Sequence, residues 1–594
     1  MCGIGGILFA QGDLQEKIQR IHAKQTHRGP DGLEALCWKG GALCHERLSL
    51  LDARGGSQPL KDPTQRYAIV YNGEIYNHEE LRKTLSSFYS FQTTSDTEVL
   101  LAAFLMWGEG CLQQINGMFS FLIWDHLAQR AFAARDPLGV KPFVYSYEQG
   151  VFSFASEVKT LLALSDRPRE IDPYLLAEYV IAPYFSGAAD QSLWKGIRYL
   201  EPGTYLSLDS KGIHIQPYTS FPSPSSTLEE KHLVDLIEQE IEKSVKLSVQ
   251  TDHPLGIFLS GGLDSSLLAA IASLHAKDPL LAYSLAFEHP EKLSFDAQAM
   301  VNSDDFPYAH KLAEKLSFPL EPVYLSQKAI VDSLPMIAEI NDRIPAWEQE
   351  ISQHLLSKAA SKTCKAVLVG DASDEIHYGY FFLLQPDVVQ SPLHLMNFFA
   401  APQRVKLLSS SLQRDMKDPL LFLEERYRGF VKKEGLSFGR GEEENILAMS
   451  ALLRRCWLQR LLHNGDIHTM HFGLEARVPF ANQSYLRAAC QIPPHLGFKG
   501  STEKHILRQA AQKWLPPLFS ERKKSALPRD PRLGKAYQNA LLPLIQRHKD
   551  LIEPYLDIPA LLSLCHIENV KEADRMILFN MISFIHWFTI YAKK

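Results

Sequence analysis

The chain has 594 residues, which is too many for one hydrophobic core, so we expect two or three domains. Hydrophobic residues make up 45% and charged residues 22% of the sequence, proportions that are ordinary for a globular protein. The net charge of −6 gives no electrostatic reason to expect a nucleic acid or an anionic membrane as a partner.

Two segments bear on whether the chain meets a membrane. The N-terminal segment has neither the basic nor the apolar region of a secretory signal. The longest apolar run, residues 576–591, is interrupted by Asn580, Ser583 and His586 and is shorter than the ~20 residues of a membrane-spanning helix. We therefore predict a buried C-terminal helix and no membrane partner.

The eight cysteines are scattered along the chain and form no Cys-x-x-Cys pair. This pattern favours reduced thiols in a cytoplasmic protein. Cys37, Cys44 and His45 lie close together in sequence, but a fourth ligand and the usual ligand spacing are missing. We therefore do not predict a metal site at these residues.

The chain opens Met1-Cys2-Gly3-Ile4, which places a nucleophilic side chain at position two. If Met1 is removed, Cys2 carries the free α-amine, whose reference pKa of about 7.7–8.0 lets it act as a general base for the thiol. Such a nucleophile needs no histidine partner. Because any residue can follow Met1, the dipeptide alone is weak evidence, and the residues after it must support the hypothesis.

Segments rich in aromatic and β-branched residues predict a sheet-rich N-terminal half. The predicted strands are residues 66–71, 118–124, 131–135, 143–147 and 151–155. Residues 96–108 predict a helix, because their apolar residues share one face and Gly108 provides a stop signal.

Four further motifs follow Cys2 in order: His27-Arg28-Gly29-Pro30-Asp31, Arg47-Leu48-Ser49, Tyr71-Asn72-Gly73-Glu74-Ile75-Tyr76-Asn77 and Ser95-Asp96-Thr97-Glu98. Together with Cys2 they closely resemble the glutaminase domain of the class II, N-terminal-nucleophile amidotransferases. The resemblance implies an αββα sandwich of the Ntn-hydrolase type. It also implies that the cysteine attacks the side-chain amide of glutamine and releases ammonia.

The same resemblance assigns roles to individual residues. The Asn72 side chain and the Gly73 N–H would form the oxyanion hole. Arg47 would hold the carboxylate of glutamine, and Asp96 and Glu74 would take its ammonium and amide ends. The implied glutamine-binding residues are Arg47, Leu48, Ser49, Leu50, Asn72, Gly73, Glu74 and Asp96. From the residues alone, Asn-Gly is also a common hairpin turn.

Residues 221–226, Phe-Pro-Ser-Pro-Ser-Ser, form the clearest linker in the chain. We therefore expect a glutaminase domain at 1–220 and a second domain at 227–594. Residues 134–142 and 154–159 also match the amidotransferase family, and we expect both segments near the domain junction rather than in the chemistry.

The stretch Ser260-Gly261-Gly262-Leu263-Asp264-Ser265-Ser266 joins a predicted buried strand, residues 256–259, to a predicted helix. Small residues let backbone N–H groups approach phosphate oxygens, and the helix dipole favours negative charge. Asp264 in such a cradle needs a cation, for which Mg²⁺ bound to carboxylate and phosphate is the candidate. The spacing differs from the kinase-type phosphate loop. It resembles the pyrophosphate loop of the ATP pyrophosphatases, although an ordinary turn and helix cap is the alternative.

Two further strands are predicted at 281–287 and 366–369, and the second runs into Gly370-Asp371-Ala372-Ser373-Asp374-Glu375. This segment resembles the second signature of the asparagine synthetase family, usually Ser-Gly-Glu-Gly-Ser-Asp-Glu. The resemblance makes Asp264 and Asp374 the two Mg²⁺ ligands. The implied ATP-binding and pyrophosphate-binding residues are Leu259, Ser260, Gly261, Gly262, Asp264, Ser265, Ser266, Leu285, Val369 and Gly370.

Residues 474–480 and 522–528 match the same family, and the second match makes Lys524 the catalytic lysine. A cation there would stabilise charge on the leaving pyrophosphate, whereas the alternative is a solvated basic run. His463, His468 and His471 have no acidic or Cys partner in phase, so we expect solvated or hydrogen-bonded histidines rather than a metal site.

The order of these motifs is that of the glutamine-dependent asparagine synthetase family. The resemblance implies a C-terminal parallel-sheet α/β fold of the ATP-pyrophosphatase type with helical additions, and an α/β and α+β two-domain chain overall. It implies that MgATP adenylates a carboxylate, that ammonia reaches the acyl-adenylate inside the protein, and that the chain can form a homodimer.

Several departures from the family pattern leave the amidated acid open. Asp371 stands where Glu is usual, at a position tied to forming the acyl-adenylate, and Ala372 replaces a Gly. His377 replaces an aromatic residue, and Ala481-Asn482 replaces Leu-Asp. Aspartate is the expected acceptor, and a sugar uronic acid or a natural-product precursor is the alternative. A non-catalytic relative that senses glutamine and ATP, or an amidohydrolase with a scaffolding C-terminal half, are alternatives from other classes.

Overall fold

A computed structural model of the protein describes residues 2–50, 52, 55–165, 170–188, 190–224, 227–293, 303–525 and 532–591. The strands of the N-terminal half are β1 (Cys2–Leu8), β2 (Gly32–Trp38), β3 (Gly41–Arg47), β4 (Leu60–Lys61), β5 (Tyr67–Ile75), β6 (Gly117–Asp125), β7 (Arg130–Arg135), β8 (Val144–Glu148), β9 (Val151–Ala155), β10 (Ile197–Tyr199), β11 (Thr204–Asp209) and β12 (Gly212–Pro217). Its helices are α1 (Leu14–Gln25), α2 (His78–Leu85), α3 (Asp96–Trp107), α4 (Val158–Leu164) and α5 (Pro173–Ile181).

These strands form two antiparallel sheets with the orders β10-β8-β9-β1-β3-β2 and β12-β11-β7-β6-β5-β4. Alternate residues of a strand point to opposite faces, so Val70 enters the core between the sheets while Ile69 and Tyr71 face α2 and α3. On the opposite side, α1 covers the outer face of the first sheet through Ile18 and Ile21. The layers are therefore those of an αββα sandwich, as the resemblance implied.

The C-terminal half contains the strands β13 (Leu255–Phe258), β14 (Leu281–Phe287), β15 (Leu320–Leu325), β16 (Ala366–Leu368), β17 (Glu475–Arg477), β18 (Phe498–Lys499) and β19 (Thr502–Glu503). Its helices up to the middle of this half are α6 (Glu230–Ser248), α7 (Leu263–His275), α8 (Phe306–Leu316), α9 (Gln327–Ile340), α10 (Gln349–Ala360), α11 (Ser373–Ile376), α12 (Pro386–Val389), α13 (Pro392–Phe398), α14 (Ala401–Val405), α15 (Ser410–Met416) and α16 (Pro419–Lys433). The remaining helices are α17 (Glu442–Leu452), α18 (Leu458–Met470), α19 (Gln483–Ala489), α20 (Pro494–Gly497), α21 (His505–Ala511), α22 (Pro517–Ser520), α23 (Leu533–Ile552), α24 (Ile558–Leu564) and α25 (Glu572–Tyr591).

A parallel sheet with the order β15-β14-β13-β16-β17 organises this half. The central strand β13 pairs with β14 on one side, where Gly256 lies opposite Leu281, and with β16 on the other, where Leu255 lies opposite Ala366. Parallel neighbours need crossover connections, and α7 supplies the one between β13 and β14. The loops after β13 and β16 consequently emerge at the same carboxyl edge of the sheet.

The local sequence patterns predicted several of these elements closely. The predicted helix at 96–108 is α3, which ends before Gly108, and the φ of +58° at this residue suits glycine. The predicted C-terminal helix is α25, whose apolar residues are largely buried. Among the described residues, no helix combines the length and the apolar character that crossing a bilayer requires.

The two segments predicted at the domain junction do contact the C-terminal half. Lys141 Nζ donates to the carbonyl of Ala476 at 3.3 Å. The Val158 N–H donates to Asp342 Oδ2 at 2.5 Å. Both segments therefore fasten the sandwich to the second half of the chain, which confirms the expectation.

Candidate active sites

Cys2 begins β1 and lies against the middle strands of the sandwich. Its backbone nitrogen donates to Asn72 Oδ1 at 3.0 Å, and its side chain is buried. Asn72 Nδ2 is buried as well and has no hydrogen-bond partner among the described residues, so the same amide keeps a donor for a ligand. Burial raises the pKa of the Cys2 thiol, and a backbone hydrogen bond from Leu48 opposes this only partly. The thiol is therefore neutral at physiological pH and needs a base.

One pocket brings together most of the residues predicted to bind glutamine. Arg47, in its wall, donates from Nη2 to the carbonyl of Asp52 at 2.5 Å. Asp96 Oδ2 accepts hydrogen bonds from the Tyr71 hydroxyl at 2.9 Å and the Ile75 N–H at 3.0 Å. Ser49 and Asn72 lie outside this lining. The lining residues are Cys2, Arg47, Leu48, Leu50, Gly56, Gln58, Tyr71, Gly73, Glu74, Ser95, Asp96 and Thr97.

The two acids of this pocket are unusually hard to ionise. Burial raises the pKa of Glu74 to about 8, and Arg477, 3.8 Å away, opposes the rise. Burial also raises the pKa of Asp96, although its hydrogen bond from Ile75 lowers it in part. A protonated Glu74 can donate a hydrogen bond to an amide oxygen. The Glu74 end of the pocket therefore suits a neutral amide group better than a charged group.

A buried arginine joins the Cys2 site to the C-terminal half. Arg28 Nε donates to the carbonyl of Cys2 at 3.2 Å, and Nη1 donates to Glu157 at 3.0 Å. Arg28 Nη2 lies 2.8 Å from Asp466 Oδ2, which belongs to α18. The Arg28 side chain is fully buried, so its ion pairs with Glu157 and Asp466 link the two halves out of contact with water.

The loop between β13 and α7 has the geometry of an anion cradle. Gly261 has φ of +70°, and a Cβ there would lie 2.6 Å from the backbone nitrogen of Ala309, so only glycine fits. The Ser260 N–H donates to Ser265 Oγ at 3.2 Å, which folds the loop onto the start of α7. Ser266 Oγ is buried without a hydrogen-bond partner among the described residues.

The other residues predicted to bind ATP surround this loop. Leu259 is buried directly after β13, and its N–H donates to the carbonyl of Tyr283 at 2.9 Å. Leu285 lies in the adjacent strand β14, half-buried. The Val369 N–H donates to the carbonyl of Arg477 at 3.0 Å.

Asp264 and Asp374, the two predicted metal ligands, meet at a lysine that the sequence analysis did not single out. Lys504 Nζ lies 2.7 Å from Asp264 Oδ2 and 2.7 Å from Asp374 Oδ1. It also donates to Ser373 Oγ at 3.1 Å. Although burial lowers the pKa of Lys504, the two carboxylates outweigh this effect and raise it. No motif marked this residue, because a single lysine before a short helix is a common pattern.

The predicted catalytic lysine also faces this cluster. Lys524 Nζ forms an ion pair with Asp374 Oδ2 and lies 4.8 Å from the centre of the Tyr380 ring. Arg522, two residues earlier, pairs with Asp305 at 2.6 Å. The alternative of a solvated basic run therefore fails for these two residues, while residues 526–528 of the motif lie outside the described residues.

Asp371 stands apart from the ion pairs around it. Its carboxylate is half-buried and makes no hydrogen bond or ion pair to any residue that the structure describes. Its Oδ2 faces Gly465 of α18, where a Cβ would lie 3.2 Å away. Burial and the nearby charge of Asp374 raise the pKa of Asp371 to about 7.

Two further departures from the family pattern are Asn482 and His377, and His377 directly follows α11, where the charges of Lys504 and Asp374 act on its ring. Asn482 is the N-cap of α19, and its Oδ1 accepts a hydrogen bond from Asn116 of the N-terminal half at 3.4 Å. It therefore lies at the contact between the two halves of the chain, and an effect of Asn482 on the choice of acceptor stays a prediction. His377 is buried and bonds the Tyr485 hydroxyl at 2.5 Å.

The histidines and the N-terminal cysteines considered as metal ligands have buried protein neighbours. His463 Nε2 lies 3.1 Å from Asn341 Oδ1, and His468 is buried rather than solvated. In the described part of the chain, the side chains that cluster with metal-ligand spacing are His22, Cys44 and Glu46. Both Glu46 oxygens already accept hydrogen bonds, one from His22 and one from Gln25, so a cation is not needed there.

Comparisons with known proteins match the two halves of the chain to two different families. Residues 1–219 match a glutamine amidotransferase domain and residues 236–589 match asparagine synthase. The chain is 33% identical over 545 residues to the glutamine-hydrolyzing asparagine synthetase 3 of Bacillus subtilis strain 168, covering 89% of this chain and 87% of that protein.

Two further relatives are more distant. Asparagine synthetase 1 of the same organism is 29% identical over 569 residues, covering 89% of this chain and 87% of that protein. Asparagine synthetase B of Escherichia coli strain K12 is 27% identical over 539 residues, covering 88% and 81%. Since the asparagine synthase match spans more than half of the sequence, the chain belongs to the asparagine synthase family, with a glutamine amidotransferase domain at its N-terminus.

Proposed function

We propose that the protein is a glutamine-dependent asparagine synthetase of the cytoplasm, which converts aspartate, glutamine and ATP into asparagine, glutamate, AMP and pyrophosphate. One observation carries this proposal: a single chain holds a buried Cys2 beside an unpaired amide and, in its other half, Asp264 and Asp374 around Lys504. We assign the glutaminase to residues 1–220 and the synthetase to residues 227–594.

In the glutaminase half, Cys2 is the nucleophile. Its α-amine, freed by removal of Met1, takes the thiol proton, and the thiolate attacks the amide carbon of glutamine. The Asn72 Nδ2 donor and the Gly73 N–H hold the oxyanion. The protonated α-amine then gives its proton to the amide nitrogen, so ammonia leaves and a thioester remains on Cys2. Water hydrolyses the thioester C–S bond, which releases glutamate and restores the thiol.

The remaining pocket residues fix the substrate. Arg47 binds the carboxylate of glutamine, and Asp96 binds its ammonium group. Glu74 faces the amide end. Leu48, Ser49 and Leu50 supply the backbone beside the thiol.

In the synthetase half, the aspartate side-chain carboxylate attacks the α-phosphorus of ATP and pyrophosphate leaves. The pyrophosphate is held by the loop residues Ser260, Gly261, Gly262, Ser265 and Ser266. Its charge is neutralised by Lys504 and Lys524. The rest of the nucleotide is held by Leu259, Leu285, Val369 and Gly370. Asp371 acts where the acyl-adenylate forms.

Asp264 and Asp374 are the residues that would hold Mg²⁺, with ATP phosphates as the other ligands. Their carboxylates and the nearby Ser373 hydroxyl are hard oxygen donors, the kind that this ion prefers. When bound, the ion would supply further neutralisation of the phosphate charge. Without it, Lys504 already compensates both carboxylates.

Ammonia must pass between the sites without release to water, because ammonium is not nucleophilic. Inside the protein, ammonia attacks the acyl-adenylate carbon, and AMP leaves as the amide forms.

A second candidate within the same reaction class is amidation of another carboxylate. Two substitutions support this candidate: Asp371 stands where the family usually has the longer Glu, and Ala372 stands where it usually has Gly. Both residues lie next to the proposed nucleotide site.

The test supplies the purified protein with glutamine, MgATP and a panel of carboxylic acids, and measures AMP, pyrophosphate and amide by mass spectrometry. We expect AMP and asparagine with aspartate. Amide formation with a different acid alone would favour the second candidate. Formation of ADP would contradict adenylation, and no turnover with any acid would favour a sensing role.

A further inference from the structure

A lysine of the synthetase half contacts the chain segment next to the wall of the glutamine pocket. Lys365 directly precedes β16, and its Nζ donates to Asp31 Oδ2 at 2.7 Å and to the carbonyl of Ser49 at 3.4 Å. The same Asp31 oxygen accepts the Ser49 N–H at 2.8 Å. About a third of each charged side chain is exposed, so the pair is partly shielded from water.

These contacts tie together the backbone on both sides of Ser49. The Asp31 N–H donates to the carbonyl of Arg47 at 2.9 Å. Leu48, between Arg47 and Ser49, supplies the backbone hydrogen bond to the Cys2 thiol. Lys365 therefore holds Ser49 in place. The two residues before Ser49 are Arg47, whose guanidinium is proposed to bind glutamine, and Leu48, whose N–H bonds the Cys2 thiol.

The other end of the same strand leads to the ATP site. β16 runs from Ala366 to Leu368 and continues into Gly370 and Asp371. The carbonyl of Lys365 accepts the N–H of Glu475 at 2.8 Å, so the start of β16 is also fixed to β17. The lysine is thus mounted on a rigid element rather than on a loop.

We propose that Lys365 is a positioning residue of the glutamine site, contributed by the synthetase half of the chain; this inference rests on the proposed glutaminase activity. Lys365 keeps Arg47 and Leu48 in the geometry that binds glutamine, and it does not touch the substrate. Its loss should weaken glutamine binding and leave the synthesis of the amide from ammonium unchanged.

The experiment compares wild type with Lys365→Met in three assays: glutamate release from glutamine, amide synthesis from glutamine and amide synthesis from ammonium. We expect the KM for glutamine to rise about five- to tenfold, because a charged hydrogen bond is lost. The kcat of glutamine hydrolysis should change less than twofold. Lys365→Arg should restore the KM, since a guanidinium can also bind Asp31.

Asp31→Asn provides a second, independent variant, because it removes the charge and keeps an acceptor for the Ser49 N–H. It should raise the KM for glutamine as Lys365→Met does. The matched control is Lys362→Met, an exposed lysine three residues earlier, which should leave every constant unchanged.

Two results would overturn the inference: an unchanged KM in both Lys365→Met and Asp31→Asn, or an equal loss of the ammonium-driven and glutamine-driven activities, which indicates a merely structural role. A wild-type protein that releases no glutamate would instead contradict the proposed function itself.

Discussion

The two candidate sites handle charge in opposite ways. In the glutamine pocket, burial keeps the pKa values of Cys2, Glu74 and Asp96 above their ordinary values. In the cluster after β13 and β16, burial alone would also raise the pKa of Asp374, but Lys504 and Lys524 outweigh it and hold the pKa well below its ordinary value.

This difference matches the substrates that each site is proposed to take. Attack on a neutral amide needs a thiol whose proton a base can remove at the moment of reaction, with fixed donors for the oxyanion. Adenylation handles a polyanion, and fixed cations stabilise it before chemistry begins. Breaking one site should therefore leave the activity of the other intact.

The largest effect is expected from Cys2→Ala. Removing the thiol should lower glutamine-driven synthesis more than about a thousandfold, because no other nucleophile is assigned to the pocket. Synthesis from added ammonium should stay within twofold of wild type. Both rates are measured as amide formed per minute. If both disappear together, the division of labour between the halves is wrong.

Lys504→Met should produce the reverse pattern. With this cation gone, Asp264 and Asp374 lose their shared partner, and synthesis from either nitrogen source should fall about 10²–10³-fold. Hydrolysis of glutamine should continue, which also reports that the protein is folded. Lys513→Met, which breaks a surface ion pair with Glu242, is the control and should change neither rate. An equal loss of glutaminase in Lys504→Met would contradict the separation.

Asp371→Asn should change how the stability of the protein depends on pH. Because the folded-state pKa of Asp371 is about 7, against roughly 4 when unfolded, the folded protein holds a proton that the unfolded chain has lost between these values. The folded protein therefore loses stability as this group ionises, and wild type should lose stability relative to the variant as pH rises from 5 to 7, by at most about 1.4 kcal/mol per pH unit. Urea unfolding at pH 5, 6, 7 and 8 measures this. Parallel curves for the two proteins would rule it out.

The smallest effect is expected at Ala372, which precedes α11 with φ of +73°. An alanine in this region is strained by about 1–2 kcal/mol, and glycine relieves the strain but adds freedom to the unfolded chain. Ala372→Gly should therefore stabilise the protein by roughly 0.5–1 kcal/mol in the same urea assay. Ala540→Gly, inside α23, is the control and should destabilise it by about 1 kcal/mol. A loss of stability in Ala372→Gly would show that the alanine methyl contributes packing.

The local features of both halves were predictable from the amino-acid sequence. Aromatic and β-branched content located β5 to β9, and the helical stripe with its terminal glycine located α3. Gly261 was predictable as part of a phosphate-type loop, because glycine has no Cβ and so tolerates a positive φ and a close approach of another backbone. Resemblance added the residues that line the glutamine pocket.

Contacts between residues far apart in the chain were not predictable and appear only in the folded structure. Lys504 reaches Asp264 across 240 positions, Lys365 reaches Asp31 across 334, and Asn482 turned out to contact Asn116 at the junction. Nothing local marks these side chains, because a lone lysine or asparagine is as common on a solvated surface as in a site. Their roles depend on how the parallel sheet and the sandwich are packed together, and residue periodicity carries no information about that packing.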